Sequence, residues 1–218
     1  GLYGALGVMM ALRSRDATGS GEGGGQQVDI GLYEPIFRIL DELAPAYDKV
    51  GFIRQRMGAA AVNVCPHSHY QTKDGRWIAI ACTNDKIFAR MAALMGCPEV
   101  AGDGIYGTIA RREKNRPAVD KLVADWAKTH TQPEAVKLCD AAEVPCGIVA
   151  AIDEIFQDPH YAARGNIARV KDPRVGDLAV PNVVPRLTGT PGHVDTLGPG
   201  LGEHNADVYG TLLGMTKA

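Results

Sequence analysis

The chain has 218 residues, of which 45% are hydrophobic and 22% charged, and its formal net charge is −2. Such a composition suits a globular protein with a core of its own, the charge argues against a nucleic-acid partner, and no apolar run reaches membrane-spanning length, which argues against a membrane partner. The cysteines number five, an odd count at irregular spacing, which predicts reduced thiols in a cytoplasmic protein.

The first predicted element is an apolar helix over residues 1–13. Its large side chains recur close to helical spacing at Leu2, Leu6, Met9 and Leu12. No capping residue precedes this helix, and the chain begins with Gly1 instead of methionine. We therefore expect a helix cut in its middle and a chain truncated at its N-terminus.

A glycine-rich polar segment, residues 14–27, follows the helix, and its residues 19–24 match the pattern G-x-G-x-x-G. A dinucleotide site needs this pattern after a strand and at the start of a helix, so that the helix N-terminus faces the phosphates. The predicted order here is helix, glycines, strand, and Glu22 would repel a phosphate. The segment therefore predicts a connecting loop and no dinucleotide cofactor.

Two elements and a linker are predicted before residue 63. Val28–Leu32 reads as a short buried strand. A helix is predicted from Tyr33, with apolar residues on one face and an end bracketed by Pro45 and Gly51. The small residues of 58–64 predict a linker.

The clearest local signals lie between Tyr70 and Ala142. A β-rich run at 77–82 follows a turn signal at 73–75, and Asn84 is a good N-cap for the next helix. A second helix buries Val119, Leu122, Val123 and Trp126, and residues 131–134 fit the capping box of a third. One unit of a strand and several helices is expected here. Beyond it, strand-like pieces at 147–150, 167–170 and 178–180 alternate with turns, and a last helix is predicted at about 204–213.

Cys65, His67 and His69 place three possible metal ligands within five residues. If the segment is extended, alternate residues share a face, so the three side chains could converge. The spacing matches no common zinc site and no fourth ligand is evident, so we predict no metal and a polar segment leading into a strand. Cys146, between a proline and a glycine, is interpreted as a buried inert thiol.

Four segments in fixed order carry more specific information: YQTKDGRWIAIA (70–81), EVPCGIV (143–149), DPHYAARGNIARV (158–170) and LGEHN (201–205). Together they resemble the C-terminal half of the family III coenzyme A transferases, the carnitine dehydratase/bile-acid-inducible group. The resemblance implies an α/β fold, in which the C-terminal part of a Rossmann-like large domain accompanies an inserted smaller α/β domain. The implied boundaries are 1–62 for the end of the large domain's N-terminal part and the linker helices, 63–143 for the small domain, and 144–218 for the chain that returns to the large domain.

The resemblance also implies an activity, the transfer of coenzyme A from an acyl-CoA to a small carboxylic acid in an interlocked homodimer. The family's catalytic aspartate is expected upstream of Gly1, so no catalytic residue is assigned within the chain. The candidate substrate-binding residues are Asn63, His67, His69 and Tyr70. The coenzyme A thioester is a substrate, and no tightly bound cofactor is expected.

Two alternatives stay open. Related 2-methylacyl-CoA racemases carry a catalytic glutamate just after the strand that resembles residues 77–81, where this chain has Asn84. An amide cannot accept a proton as a general base, which favours a transferase. The other alternative is a non-catalytic partner subunit. Because an interlocked dimer hides large apolar surfaces, we also expect residues 1–218 alone not to form a stable monomer.

Overall fold

The computed structural model describes residues 1–17 and 24–215. The segment predicted as a loop, 14–27, is described only in part: 14–17 belong to the first helix, contrary to the prediction, and 24–27 have no regular structure. Of the glycine-rich pattern at 19–24, only Gly24 lies within the described ranges. The chain divides into two compact units, Gly1–Gly58 and Ala59–Ala218, and each is described by itself.

The first unit contains three helices, α1 (Leu2–Ala17), α2 (Glu34–Ile39) and α3 (Leu43–Val50). The predicted N-terminal helix is confirmed and extends to Ala17. The predicted buried strand at Val28–Leu32 is wrong, because these residues have no regular structure and Leu32 is 97% exposed. A buried strand needs a neighbour to pair with, and the described residues of this unit contain no other strand.

The helix predicted from Tyr33 is broken in two. A single continuous helix would place Pro45 in its interior, where proline lacks the N–H that bonds the carbonyl four residues earlier. The chain instead turns between α2 and α3, and Pro45 lies in the first turn of α3. The predicted end is confirmed: Gly51 has a left-handed φ of 65°, and its N–H donates to the carbonyl of Tyr47 at 2.9 Å.

The second unit opens with a three-stranded antiparallel sheet in the order β1 (His67–Gln71), β2 (Trp77–Ala81) and β3 (Cys146–Ile148). The predicted strand at 77–82 and the turn before it are confirmed, with Gly75 at a φ of 77°. The register places Tyr70 opposite Ile78 and Ile80 opposite Cys146. β3 lies beyond the domain boundary expected at residue 143, and the domain division stays a prediction.

The same unit contains four helices, α4 (Asp85–Leu94), α5 (Ile109–Lys114), α6 (Arg116–Ala127) and α7 (Gln132–Ala141), and a 3₁₀ turn at Pro98–Val100. Two predicted caps are confirmed. Asn84 Oδ1 accepts from the N–H of Ile87 at 2.9 Å, and Thr131 and Glu134 form the capping box of α7. The core joins one sheet face to these helices, and its fully buried side chains include Ile78, Phe88, Met91, Val119 and Val123.

After β3 come α8 (Ile152–Gln157), α9 (Pro159–Arg164) and an antiparallel hairpin of β4 (Ile167–Asp172) and β5 (Gly176–Pro181). The hairpin strands were predicted, but the two short helices were not. Asp158 caps α9 by accepting the N–H of His160 at 2.7 Å. A π-helical stretch, Ala206–Leu212, occupies the predicted last helix. No helix in the described ranges is long and apolar enough to cross a bilayer.

Candidate functional site

Strand β1 divides the residues that the sequence analysis grouped as substrate-binding. Successive side chains of a strand point to opposite faces, so His67 and His69 share one face and Tyr70 lies on the other. His69 is exposed, His67 is partly buried, and Tyr70 is only 4% exposed. The structure therefore brings the two histidines together and separates Tyr70 from them.

Tyr70 belongs to the core that the sheet shares with helix α6. Its phenol donates to Asp120 Oδ1 at 2.7 Å. Burial, and next the hydrogen bond to Asp120, raises the pKa of this phenol well above its ordinary value. Tyr70 therefore stays protonated and acts as a hydrogen-bond donor inside the unit.

The opposite face of the sheet carries both imidazoles beside small side chains. The register sets His67 opposite Ala81 and His69 opposite Ala79, and residues directly opposite one another share a face. Trp77, opposite Gln71, adds an indole that is 46% exposed. We call this surface the histidine face; it consists of His67, His69, Gln71, Trp77, Ala79 and Ala81.

His67 is the more constrained of the two histidines. Its Nδ1 atom is buried and has no hydrogen-bond partner among the described residues. The great majority of buried polar atoms in proteins have a hydrogen-bond partner, so this nitrogen has an unused capacity to donate or accept a hydrogen bond. An imidazole N–H is a suitable donor to a carboxylate oxygen, and His69 offers the same group two residues further along.

Asn63 lies just before β1 and is exposed. Its φ of 61° lies in the left-handed region that few residues other than glycine adopt, although asparagine does so more readily than most. The unusual backbone marks the point where the linker turns toward the strand. Asn63 precedes the histidine face in the chain, and a shared site with the two imidazoles stays a prediction.

The two buried thiols of Cys65 and Cys82 are poor nucleophiles in this environment. Burial raises the pKa of Cys65 and of Cys82 to about 12. The hydrogen bond between Cys139 and Cys146, and next burial, raises the pKa of Cys139, whereas the same hydrogen bond lowers the pKa of Cys146 against the effect of burial. Cys146 is only partly buried, in contrast to the buried thiol that was expected. In residues 1–17 and 24–215 no three His, Cys, Asp or Glu side chains are grouped closely enough to hold a metal ion.

Comparison with known proteins decides the family. The sequence model described as CoA-transferase family III matches residues 1–205. The chain belongs to CoA-transferase family III.

Family III members from Chloroflexus aurantiacus are among its most similar relatives. The chain is 44% identical to a succinyl-CoA–L-malate CoA-transferase alpha subunit over 99% of its own length and 49% of that protein. It is 43% identical to the beta subunit of the same name, over 99% of the chain and 53% of that protein. The chain thus spans about half the length of the curated relatives it matches.

A solved family III structure has the same fold. The crystal structure of a CAIB/BAIF family protein from Brucella suis matches with a TM-score of 0.76 and 29% identity, covering 97% of this chain and 53% of that one. The α/β class is therefore confirmed, whereas the Rossmann-like large domain and the interlocked assembly stay predictions.

Asn84, the residue that distinguished a transferase from a racemase in the sequence, is the N-cap of helix α4. Asn84 lies three residues after the end of β2, and its side-chain oxygen accepts the N–H of Ile87 as the cap of α4. The position at which a racemase glutamate was expected therefore holds a neutral amide that stabilises a helix start.

Two residues near the histidine face were not anticipated from the sequence. Arg112 and Arg116 both bond main-chain carbonyls just before β1. They lie in the charged run of residues 111–116, which resembles a solvated surface. The available signal was spacing, because Arg112 and Arg116 precede the buried Val119 and Val123 by seven residues each.

Proposed function

We propose that the complete gene product containing this chain is an acyl-CoA:carboxylate CoA-transferase. The observation that carries the proposal is the family III match over residues 1–205. Coenzyme A thioesters would be its substrates, and no tightly bound cofactor is required for the exchange. We place the enzyme in the cytoplasm because its scattered cysteines suit a reducing compartment.

The named activity of the relatives suggests the substrate class. Both Chloroflexus relatives are named for succinyl-CoA and L-malate, so we propose succinyl-CoA as the donor and a short 2-hydroxy dicarboxylate as the acceptor. The histidine face supports this choice, since two imidazole donors suit a carboxylate. Asn63, His67 and His69 are proposed to bind the acceptor, and Tyr70 to support β1 from behind.

The proposed chemistry is nucleophilic catalysis by an aspartate that the resemblance places before Gly1. Its carboxylate attacks the thioester carbonyl, the CoA thiolate leaves, and an acyl-aspartyl anhydride forms. The thiolate then attacks the aspartyl carbonyl, which releases the donor acid and leaves an aspartyl-CoA thioester. The acceptor carboxylate reverses these steps, forming the new acyl-CoA and freeing the aspartate.

The proposed assembly is an interlocked dimer. The names of the Chloroflexus relatives specify alpha and beta subunits, which favours a second candidate, a pair of two related chains. In that candidate the second chain, and not this one, supplies the catalytic aspartate. Sequencing the gene upstream of the codon for Gly1 separates these candidates.

The test is CoA exchange by the complete gene product. Incubation with succinyl-CoA and L-malate should yield succinate and malyl-CoA in equal amounts, and hydroxylamine or borohydride should trap an aspartyl thioester. Epimerisation of a 2-methylacyl-CoA without any transfer would establish the racemase instead. Absence of both reactions, with transfer restored by a second related chain, would establish the partner subunit.

A further inference from the structure

We propose that Arg112 and Arg116 are positioning residues for the histidine face. They hold two successive carbonyls of the segment that enters β1, and so determine where Asn63 and His67 lie. The inference rests on the proposed function, because it assigns the segment a role in acceptor binding.

Arg112 is a fully buried cation with a partner on every nitrogen. Its Nε donates to the carbonyl of Cys65 at 2.6 Å, Nη1 to that of Tyr106 at 2.9 Å, and Nη2 to Asp85 Oδ1 at 2.9 Å. The guanidinium carbon also lies 4.5 Å from the centroid of the Phe88 ring. A buried charge is tolerated only when it is paired, so the guanidinium must keep these contacts. The group held in this way restrains the carbonyl of Cys65.

Arg116 holds the preceding carbonyl. Its Nη2 donates to the carbonyl of Val64 at 3.0 Å and to Glu113 Oε1 at 2.6 Å. The side chain is 16% exposed, and its buried Nη1 has no hydrogen-bond partner among the described residues. Arg116 begins helix α6, so a rigid element carries the group that restrains Val64.

Each of the four successive carbonyls of residues 64–67 therefore accepts a hydrogen bond. The main chain supplies the other two donors: the N–H of Cys82 bonds the carbonyl of Pro66 at 2.9 Å, and the N–H of Ala61 bonds that of His67 at 3.0 Å. Only the bonds to residues 64 and 65 depend on side chains and can be removed by substitution. Loss of the outer bond, from Arg116, should loosen the segment on the Asn63 side first.

The chain offers a matched control in Arg90. Its Nη1 donates to the carbonyl of Glu143 at 3.2 Å, and its Nη2 contacts the carboxylate of the same residue at 2.8 Å. Glu143, like Asn63, has a left-handed φ, here 53°. Arg90 thus restrains a strained loop by the same chemistry, but between α7 and β3, where no site residue is predicted.

The experiment compares R116Q with R90Q in the complete gene product. The first readout is alkylation of native protein by N-ethylmaleimide, resolved by peptide mass spectrometry. Cys65 and Cys139, both fully buried, lie beside the two restrained loops. Loss of a hydrogen bond from a charged group commonly changes the equilibrium between the closed and the open segment by more than tenfold. R116Q should therefore increase the alkylation rate of Cys65 about tenfold and leave the rate at Cys139 unchanged. R90Q should do the reverse.

The second readout separates positioning from mere stability. R116Q should raise the KM for the dicarboxylate acceptor about tenfold and leave the KM for succinyl-CoA within about twofold, a split that a general loss of stability would not produce. R116K should restore part of the acceptor affinity, and it replaces R116Q if the latter does not fold. A normal acceptor KM in R116Q, or an equal change in R90Q, would overturn the proposal.

A failure of the proposed function is recognised separately. If the wild-type gene product transfers no CoA, the acceptor-binding role is lost with it. The alkylation result then decides the remaining claim: faster modification of Cys65 in R116Q supports a restraint by Arg116, and an unchanged rate refutes it.

Discussion

The two units of the chain differ in how far their apolar side chains are buried. None of the described residues in 1–58 is buried, and in α1 even Leu2 and Met9 are 89% and 63% exposed. In the second unit Phe88, Met91 and Val123 are fully buried between the sheet and its helices. Helices α4 and α6 have one apolar stripe each, whereas α1 is apolar on most sides. An apolar stripe suffices where a sheet face is available, and an all-round apolar helix requires further partners.

The largest consequence of this difference concerns association. Exposed apolar patches of this extent are rare on monomeric proteins, so residues 1–218 expressed alone should form dimers or larger species instead of a stable monomer. Multi-angle light scattering and sedimentation measure this directly. A monodisperse monomer that melts cooperatively would contradict the expectation and would mean that the first unit finds a partner within its own chain.

A paired phenylalanine substitution tests the contrast at single side chains. Phe88→Ala empties a fully buried position and should cost about 3–5 kcal/mol of unfolding free energy. Phe37→Ala, in α2, removes a side chain that is 60% exposed and should change stability by less than about 0.5 kcal/mol. Urea unfolding of both variants provides the comparison. A large loss at Phe37 would show that an associated copy covers the first unit in solution.

The same contrast explains which parts of the fold could be predicted. Helices α4 and α7 were identified because a cap and an apolar period agree there, which is the condition under which local signals are dependable. Val28–Leu32 has the composition of a strand, but pairing is a non-local property that composition does not encode. Helices α8 and α9 are six residues long each, too short to show a helical period.

The candidate site was less predictable than the fold. Asn63 and the two histidines were chosen by resemblance, and only the observed register shows that His67 and His69 share a face while Tyr70 does not. Arg112 looked like a surface residue because burying an arginine needs several acceptors from distant parts of the chain. Cys65 and Asp85 supply two of them from positions 47 and 27 residues away, and the sequence pattern does not encode such pairings.

Helix capping gives a smaller, local version of the contrast. Asn84→Ala removes the side-chain acceptor of the Ile87 N–H and should destabilise the protein by about 1 kcal/mol. Tyr33 precedes α2 without any side-chain capping bond, so Tyr33→Ala should cost much less. Thermal melts of the two variants make the comparison. Equal losses would mean that the cap of α4 contributes nothing beyond packing.

Tyrosine hydroxyls extend the test to the sheet. Tyr70→Phe leaves the Asp120 carboxylate without its phenol donor and should lower the free energy of unfolding by about 1 kcal/mol. Tyr47→Phe, at a site that is 62% exposed, should leave the free energy of unfolding unchanged.

The proposed role of the histidine face predicts that His69→Ala alters acceptor kinetics and leaves the melting temperature nearly unchanged. Unchanged acceptor kinetics in His69→Ala would remove His69 from the site, and unchanged acceptor kinetics in Tyr70→Phe would show that the bond to Asp120 does not support the site.

The smallest expected effect is a titration in the hairpin of β4 and β5. Hydrogen bonds from the Arg174 side chain and N–H lower the pKa of Asp172 to about 2 from an ordinary 3.8. Because the folded-state pKa is the lower one, this carboxylate stabilises the hairpin above about pH 4, and its contribution is lost as the pH falls through about 2. NMR titration should place the midpoint there, and R174Q should move it upward. R169Q is the control, since Arg169 pairs instead with Asp177; a midpoint that follows Arg169, or ignores Arg174, would show that another group sets this pKa.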